Sequence, residues 1–255
     1  MRSIMLGAAA VALLATPGLA NAQTNAVVGL DFNSVDFGSG PGTWDVYGLN
    51  GAFNHDFSNG WEVQLDGYAG RASPPHFCCI NTDYAALHFG MRHDSYSMAG
   101  FVGLMSAEPF SGIDVGVEGQ MQFTQAMLEG SLSYVDFGDI DLNATNVQVD
   151  GSWFVNPDFA VNALVGYTDA NEGSSNGHWW SYGLSGEYRF ANSPASVSLG
   201  YRRFDESGAH VDTWSIGLTL DLGTGTLQDR SKSGPSWNGG RSLYDNVGRT
   251  IGLVF

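Results

Sequence analysis

The chain is poor in basic residues and contains no hydrophobic run long enough for a membrane-spanning helix. Its 10 Lys and Arg oppose 26 Asp and Glu, and the formal net charge is −16 at pH 7. Such a charge repels a phosphate backbone, which excludes nucleic acid as a partner. Gly-rich nucleotide-binding motifs, zinc-ligand patterns and EF-hand loops are absent as well. The sequence therefore predicts no cofactor, apart from a surface cation considered below.

Aromatic residues, by contrast, are abundant. The chain contains 15 Phe, 10 Tyr and 7 Trp, and this is more apolar surface than a disordered chain carries. Its 255 residues correspond to one large domain or two small ones. A folded body is expected.

The beginning of the chain resembles a signal for export. Arg2 precedes an apolar segment from Ile4 to Leu14, and the small residues Ala20 and Ala22 follow, as at a signal peptidase site. We predict a signal peptide at residues 1–22. An exported chain without a hydrophobic helix can cross a membrane only as a closed β-barrel.

Apolar and polar residues alternate with a period of two, as in β-strands. In residues 113–121 the odd positions are apolar or Gly, and the even positions are polar or Gly. Twelve segments of this kind predict twelve strands, at 26–33, 43–54, 61–71, 83–92, 97–106, 113–121, 126–136, 144–155, 159–168, 179–190, 195–204 and 211–222.

The predicted connections alternate in length. Those after even-numbered strands are short, as at 156–158, and those after odd-numbered strands are longer, as at 72–82. Short turns on one rim and longer loops on the other are typical of outer-membrane barrels, whose termini lie on the periplasmic side.

Outward-facing aromatic residues are expected to form two belts, one at each membrane interface. The belt near the short turns would contain Trp61, Trp153, Phe159, Tyr188 and Phe190, and the other would contain Tyr134, Tyr167, Trp180, Tyr201 and Trp214. The alternative is a soluble β-sandwich, whose apolar set would face a dry core and whose polar set would face water. Strand number, connection lengths and belts together favour an all-β fold, a closed antiparallel transmembrane β-barrel of twelve strands.

Two segments resemble the assembly signal on the last strand of Gram-negative outer-membrane β-barrel proteins of the porin-like class. One is Ser215–Leu222; the other is Ile251–Phe255, where Thr250 replaces the expected Gly. The resemblance implies location in the outer membrane, contact with its lipid and lipopolysaccharide, and insertion by the barrel assembly machinery. It leaves the oligomeric state open.

The two signals conflict, because a strand at residues 249–255 would be the thirteenth. We favour a barrel at residues 23–222, followed by a Gly- and Ser-rich tail at residues 223–255 that lies in the periplasm or enters the lumen. The tail has four basic and two acidic residues, whereas residues 23–222 have 5 basic and 24 acidic residues. A basic tail below an acidic lumen could act as a movable plug.

Charged side chains on the polar faces of the strands are the predicted lumen and selectivity residues. These are Glu62, Asp66, Asp114, Glu118, Glu129, Asp150, Arg189 and Arg202. Acidic and basic walls facing each other across water would set a transverse field, and the excess of carboxylates would favour cations. The predicted function is a narrow passive channel for small, preferentially cationic solutes. The alternative is a closed barrel that serves adhesion or envelope structure through its surface loops.

The remaining candidates for chemistry lie in connections. Asp139, Asp141 and Asn143 are the candidate contacts of a surface Ca²⁺ or Mg²⁺, although their spacing is far from a full metal-loop signature and a solvated acidic face is the favoured explanation. Cys78 and Cys79 are adjacent and are expected to have a structural or redox role, such as a vicinal disulfide. No nucleophile and base are placed together, because the side chains of consecutive turn residues, as at 93–95, diverge. We predict no enzymatic activity.

Overall fold

The structure is a computed structural model that describes residues 23–38, 42–57, 59–74, 79–173, 175–206, 209–223 and 225–248. The predicted signal peptide at 1–22, the possible strand at 249–255 and Cys78 lie outside the described residues.

Twelve antiparallel strands form one closed barrel, in which each strand pairs with its neighbours in sequence and β1 pairs with β12. This confirms the predicted fold and strand number. The strands are β1 (Gln23–Asp36), β2 (Thr43–Asp56), β3 (Trp61–Ser73), β4 (Ile80–Arg92), β5 (Tyr96–Ala107), β6 (Phe110–Gln122), β7 (Ala126–Phe137), β8 (Leu142–Asn156), β9 (Phe159–Glu172), β10 (Ser175–Arg189), β11 (Ala195–Glu206) and β12 (Ala209–Leu222).

The alternation in the sequence separates an outer surface from an interior. On β6, Ile113 and Val117 are each 58% exposed, whereas Asp114, on the opposite face of the strand, is fully buried. In a soluble sandwich the apolar set would be the buried one. The convex surface of this barrel is instead apolar, as a surface in contact with lipid must be, and the interior is polar.

Aromatic side chains lie on the outer surface toward both ends of the strands. Trp61, Trp153 and Tyr188 are exposed near one rim, and Trp180 and Trp214 near the other. We call the rim where β1 begins and β12 ends the inner rim, and the opposite one the outer rim. An apolar band between two aromatic belts is the outer surface of a transmembrane barrel.

The predicted difference between short and long connections is wrong. The outer-rim connections, at 37–42, 74–79, 108–109, 138–141, 173–174 and 207–208, are about as short as those of the inner rim, at 57–60, 93–95, 123–125, 157–158 and 190–194. The strands continue into the predicted loops because backbone pairing does not require apolar side chains. The polar segment at 169–172, for instance, is paired with both β8 and β10.

After β12 the chain turns back into the barrel as short helices, α1 (Leu227–Ser233) and α2 (Gly239–Leu243), and a π-helical turn (Tyr244–Gly248). None of the helices described is long and apolar enough to cross a membrane.

Residues 225–248, which we call the tail segment, run through the lumen from the inner rim toward the outer rim. Leu227 packs against Met127 and Phe154 near the inner rim. At the other end, Tyr244 and Val247 belong to a cluster toward the outer rim, with Val135, Phe137, Leu142, Ala144 and Ala170. The tail segment thus occupies the interior along most of its height.

Candidate functional site

All eight charged residues predicted for the lumen face the interior. Glu62, Asp66, Asp114, Glu118, Glu129 and Arg189 are buried, whereas Asp150 and Arg202 are half-buried. Their positions in the strands explain this, because each occupies the face opposite to the lipid-exposed residues. Four of the eight contact the tail segment directly, namely Glu62, Glu118, Glu129 and Arg202.

The acidic wall formed by β6 and β7 holds the tail segment by its backbone. Glu118 Oε2 accepts a hydrogen bond of 2.7 Å from the N–H of Gly239. Glu129 Oε1 accepts one of 3.1 Å from the N–H of Asn238. These two backbone N–H groups would otherwise lie unpaired in the interior, so the contacts contribute to docking.

A buried histidine connects two of the predicted acids. His88 Nε2 lies 3.2 Å from Asp66 Oδ2, and His88 Nδ1 contacts Glu118 Oε1. The imidazole is fully buried and packs against Phe101 at a centroid distance of 5.2 Å. Since Glu118 also receives the tail backbone, this network joins three strands to the tail segment.

Glu62 joins a basic wall residue to the tail segment. Arg92 Nε lies 2.6 Å from Glu62 Oε2, and Arg92 Nη2 also donates to the carbonyl oxygen of Gly234 at 3.2 Å. The indole N–H of Trp237 donates to Glu62 Oε1 at 2.9 Å. Trp237 is only 1% exposed, so its side chain anchors the middle of the tail segment.

Amide side chains on the wall bind the same stretch of backbone. Gln64 Oε1 accepts hydrogen bonds from the N–H groups of Ser236 and Trp237, at 2.9 and 3.2 Å, and its amide donates to the Trp237 carbonyl at 2.8 Å. Gln120 donates to the Ser236 carbonyl at 2.8 Å. A segment without regular structure is thereby satisfied by side chains of the barrel.

The sequence predicts that the basic residues on the other side of the barrel face the acidic wall across open water. The structure shows a different arrangement. Arg189 pairs with Asp221 at 3.2 Å, and Arg202 lies 3.7 Å from Asp245 of the tail segment. The transverse field across an open lumen is therefore a wrong expectation, because the tail segment lies between the two walls.

Asp114 is the predicted site residue whose carboxylate makes no hydrogen bond. Neither of its oxygens has a hydrogen-bond partner among the described residues, although the side chain is fully buried. It lies over Gly103 on β5, where a Cβ atom would be 2.5 Å from Asp114 Oδ1. Asp114 thus contributes acidity to the wall without holding the tail segment by a hydrogen bond.

Two adjacent glycines allow the tail segment to approach the wall closely. A Cβ atom at Gly239 would lie 2.7 Å from the Phe101 ring and 2.8 Å from Glu118 Oε2, and one at Gly240 would overlap the hydroxyl oxygen of Tyr84. Any side chain at Gly240 therefore requires the tail segment to move away.

The tail segment leaves two cavities. One is lined by β1, β2 and β8–β12 together with the tail segment, and the other also by β3, β4 and β7. One, of about 300 Å³, extends toward the outer rim, and the other, of about 410 Å³, extends toward the inner rim. Five residues line both: Asn50, Asp150, Asn162, Ser198 and Arg241. The cavities meet at these residues, which we call the junction.

Acidic side chains outnumber basic ones around the cavities. Three guanidinium groups line them, those of Arg202, Arg230 and Arg241. Six carboxylates do so as well, those of Asp31, Asp66, Glu129, Asp150, Glu187 and Asp245. Charge of one sign in a narrow polar passage raises the local concentration of ions of the opposite sign.

Two of the candidate cation contacts at the outer rim bind different neighbouring strands. Asp139 accepts a hydrogen bond from Ser111 on β6 at 3.3 Å, whereas Asn143 accepts one from Asn171 on β9 at 3.5 Å. Among the described residues, no group of three or more His, Cys, Asp or Glu side chains is placed to hold a metal ion. A surface Ca²⁺ or Mg²⁺ at Asp139, Asp141 and Asn143 stays a prediction.

Cys79 lies at the outer rim beside polar groups. The Ser73 hydroxyl is 3.9 Å from its sulfur, and a hydrogen bond with Arg71 lowers the pKa of the thiol. A lowered pKa increases the fraction of reactive thiolate, which is compatible with a redox role. The pairing of Cys78 and Cys79 stays a prediction.

Sequence reasoning missed most of the residues that hold the tail segment. The alternation does place Gln64, Gln120 and Gln148 on the polar face, and this signal was available. Trp237 and Arg241, in contrast, lie in a stretch with no periodicity, so their sequence positions reveal nothing of their contacts.

No protein-family profile matches the chain, and a comparison with curated protein sequences finds no match either. Solved structures do resemble it. The COG4313 outer membrane channel from Pseudomonas putida F1 superposes with a TM-score of 0.55 at 12% identity, covering 80% of this chain and 97% of that one. The KdgM porin superposes with a TM-score of 0.54 at 10% identity, covering 75% of this chain and 98% of that one.

The translocator domain of the autotransporter NalP from Neisseria meningitidis has a TM-score of 0.50 at 14% identity, covering 85% of this chain and 95% of that one. These likenesses show the fold, which is that of bacterial outer-membrane β-barrels. The outer membrane is where proteins of this fold lie.

Proposed function

We propose that this protein is a narrow, passive outer-membrane channel for small and preferentially cationic solutes, in which solutes pass beside a resident tail segment. The observation that carries the proposal is the pair of cavities that meet at the junction. A barrel of about twelve strands is wide enough to leave such space around an inserted segment.

Charge supports the preference for cations. The carboxylates that line the two cavities outnumber the guanidinium groups by six to three. Asp150 lines both cavities, and each permeating ion would pass it. Rings or clusters of carboxylates favour cations over anions in aqueous pores.

The structural neighbours support transport more than catalysis. Two are described as a porin and an outer membrane channel. The proposal includes no enzymatic activity and no cofactor. It does include insertion by the barrel assembly machinery and contact with lipopolysaccharide at the outer rim, as the resemblance of the last strand implies.

The alternative, a closed barrel with an adhesive or structural role, draws support from the dense contacts between the tail segment and the acidic wall. The outer-rim connections are short, however, and offer little surface for adhesion. This weighs in favour of the channel.

Planar-bilayer recording of the purified intact protein across a KCl gradient tests the proposal. We expect discrete, small conductance steps. We also expect a reversal potential whose sign shows that K⁺ permeates more readily than Cl⁻. Absence of current from the intact protein and from a variant that lacks residues 224–255 would refute the channel and favour the closed barrel.

A further inference from the structure

The guanidinium group of Arg241, a residue of the junction, lies over the ring of Tyr68, which we call the platform. Its central carbon is 4.2 Å from the centroid of the Tyr68 ring and 5.5 Å from that of Tyr244. Both distances are within the range of cation–π attraction. The tail segment therefore places a planar cation where the two cavities meet.

The platform belongs to the barrel wall and is held in place by glycines. Gly48 on β2 and Gly70 on β3 are cross-strand partners, and the Tyr68 ring covers both. A Cβ atom at Gly70 would lie 2.5 Å from the ring, so larger residues would displace it. With one ring face against backbone, the other face is presented to the lumen.

Acidic side chains of the barrel wall favour a cation at this site even without the tail segment. Asp66, Glu129 and Asp150 are wall residues that line one or both cavities. Asp245, which pairs with Arg241 at 3.2 Å, belongs to the tail segment and would leave together with it. The Tyr68 ring and these three acidic side chains all belong to the barrel wall, so they remain in either case.

Arg241 is also open to the lumen. Its side chain is 24% exposed, and it lines both cavities. A positive charge at this position repels other cations from the junction while occupying the surface that would attract them.

We infer that the Tyr68 platform is a binding site for small organic cations of the guanidinium type, and that Arg241 is a tethered occupant that limits their passage. The inference rests on the proposed function and names the solute class of that channel. A guanidinium ion is flat, so it can stack on the Tyr68 ring while its N–H groups face the wall carboxylates.

The test compares guanidinium block in bilayers for the full-length protein and its variants. In R241A the potassium conductance rises, and millimolar guanidinium chloride blocks it, because the free ion takes the vacated site. Adding Tyr68→Leu to R241A raises the half-blocking concentration by roughly three- to thirtyfold, the effect of losing one cation–π contact. Tetramethylammonium, which is not planar, blocks R241A less well than guanidinium.

The matched control is K232A. It removes the same charge from the tail segment, but the Lys232 side chain is exposed and lines neither cavity. K232A should resemble the intact protein in conductance and in resistance to block. A second variant, R241K, retains the positive charge and guards against misfolding of R241A; guanidinium should block it more weakly than R241A and more strongly than the intact protein.

Two negative results are distinguishable. If R241A conducts more but guanidinium blocks it no better than it blocks K232A, the binding site is refuted and the channel stands. If the intact protein, R241A and the variant lacking residues 224–255 all fail to conduct, the channel itself is refuted.

Discussion

The N–H of Gly239 donates a 2.7 Å hydrogen bond to Glu118, a residue 121 positions earlier in the chain. The neighbouring Gly240 lies so close to Tyr84 that a Cβ atom would overlap the tyrosine hydroxyl. Docking of the tail segment therefore depends on the absence of a side chain at this point.

Gly240→Val should release the middle of the tail segment while leaving the barrel assembled. The expected result is a rise in single-channel conductance toward that of the protein without residues 224–255. The control is Gly138→Val, because Gly138 is on the outer rim and a Cβ atom there would have no other atom within 4 Å. Equal conductance of the two variants would show that close approach at Gly240 is dispensable.

Trp237→Ala should loosen the tail segment through lost packing. Removing a fully buried Trp costs about 3–5 kcal/mol in a packed interior, and here the indole hydrogen bond to Glu62 is lost as well. We expect trypsin to cleave after Arg230, Lys232 or Arg241 much faster than in the unaltered protein in detergent micelles. Mass spectrometry of the fragments identifies the sites.

The control for that experiment is Trp153→Ala, on the lipid-facing surface, where Trp153 is 57% exposed and away from the tail segment. The tail segment of the Trp153→Ala variant should stay resistant to trypsin. If Trp237→Ala is also resistant, the hydrogen bonds of Gln64, Glu118 and Glu129 hold the tail segment without the Trp anchor.

Asp150→Asn should weaken the preference for cations, because this carboxylate lines both cavities. The reversal potential in a KCl gradient should move toward zero while the conductance of the open state changes little. Asp141→Asn removes the same charge from an exposed position on the outer rim and should leave the reversal potential unchanged. A shift of equal size in both variants would show that the overall charge of the protein, rather than the Asp150 carboxylate in the cavities, determines the selectivity.

Val117→Arg tests the contact of the outer wall with lipid. Val117 is 58% exposed on β6, midway along the strand, and an Arg at the midplane of a bilayer costs about 2–4 kcal/mol in barrels of this kind. Urea unfolding in lipid vesicles should show a loss of that size. Ser111→Arg, on the same strand at the outer rim, should cost about 0–1 kcal/mol; similar losses at both positions would contradict the assigned membrane position.

The barrel could be predicted from the sequence because its determinant is local. Alternation around Asp114 and Ile113 assigns each side chain to water or lipid without knowledge of the partner strands. The ends of the strands were harder to predict, since the mostly polar segment at 169–172 nevertheless pairs with β8 and β10. Parts of the segments predicted as long loops are therefore strand in the structure.

The site could be predicted only in part. The alternation of polar and apolar residues places Glu118 and Glu129 in the lumen. The residues that they contact, however, belong to the tail segment, which is far away in the chain. The stretch between α1 and α2 has no periodic pattern, because its backbone is satisfied by wall side chains such as Gln64 and Gln120 rather than by regular structure. Only the folded chain shows that the acidic wall faces its own C-terminal region.

Single-channel recording of the intact protein and of the variant lacking residues 224–255, in the same lipid and salt, tests most directly whether the tail segment restricts a channel. We expect small, cation-selective steps from the intact protein and markedly larger steps from the truncated one, because the lumen then loses its occupant. Identical steps from both proteins, or silence from both, would show that the tail segment does not restrict a channel.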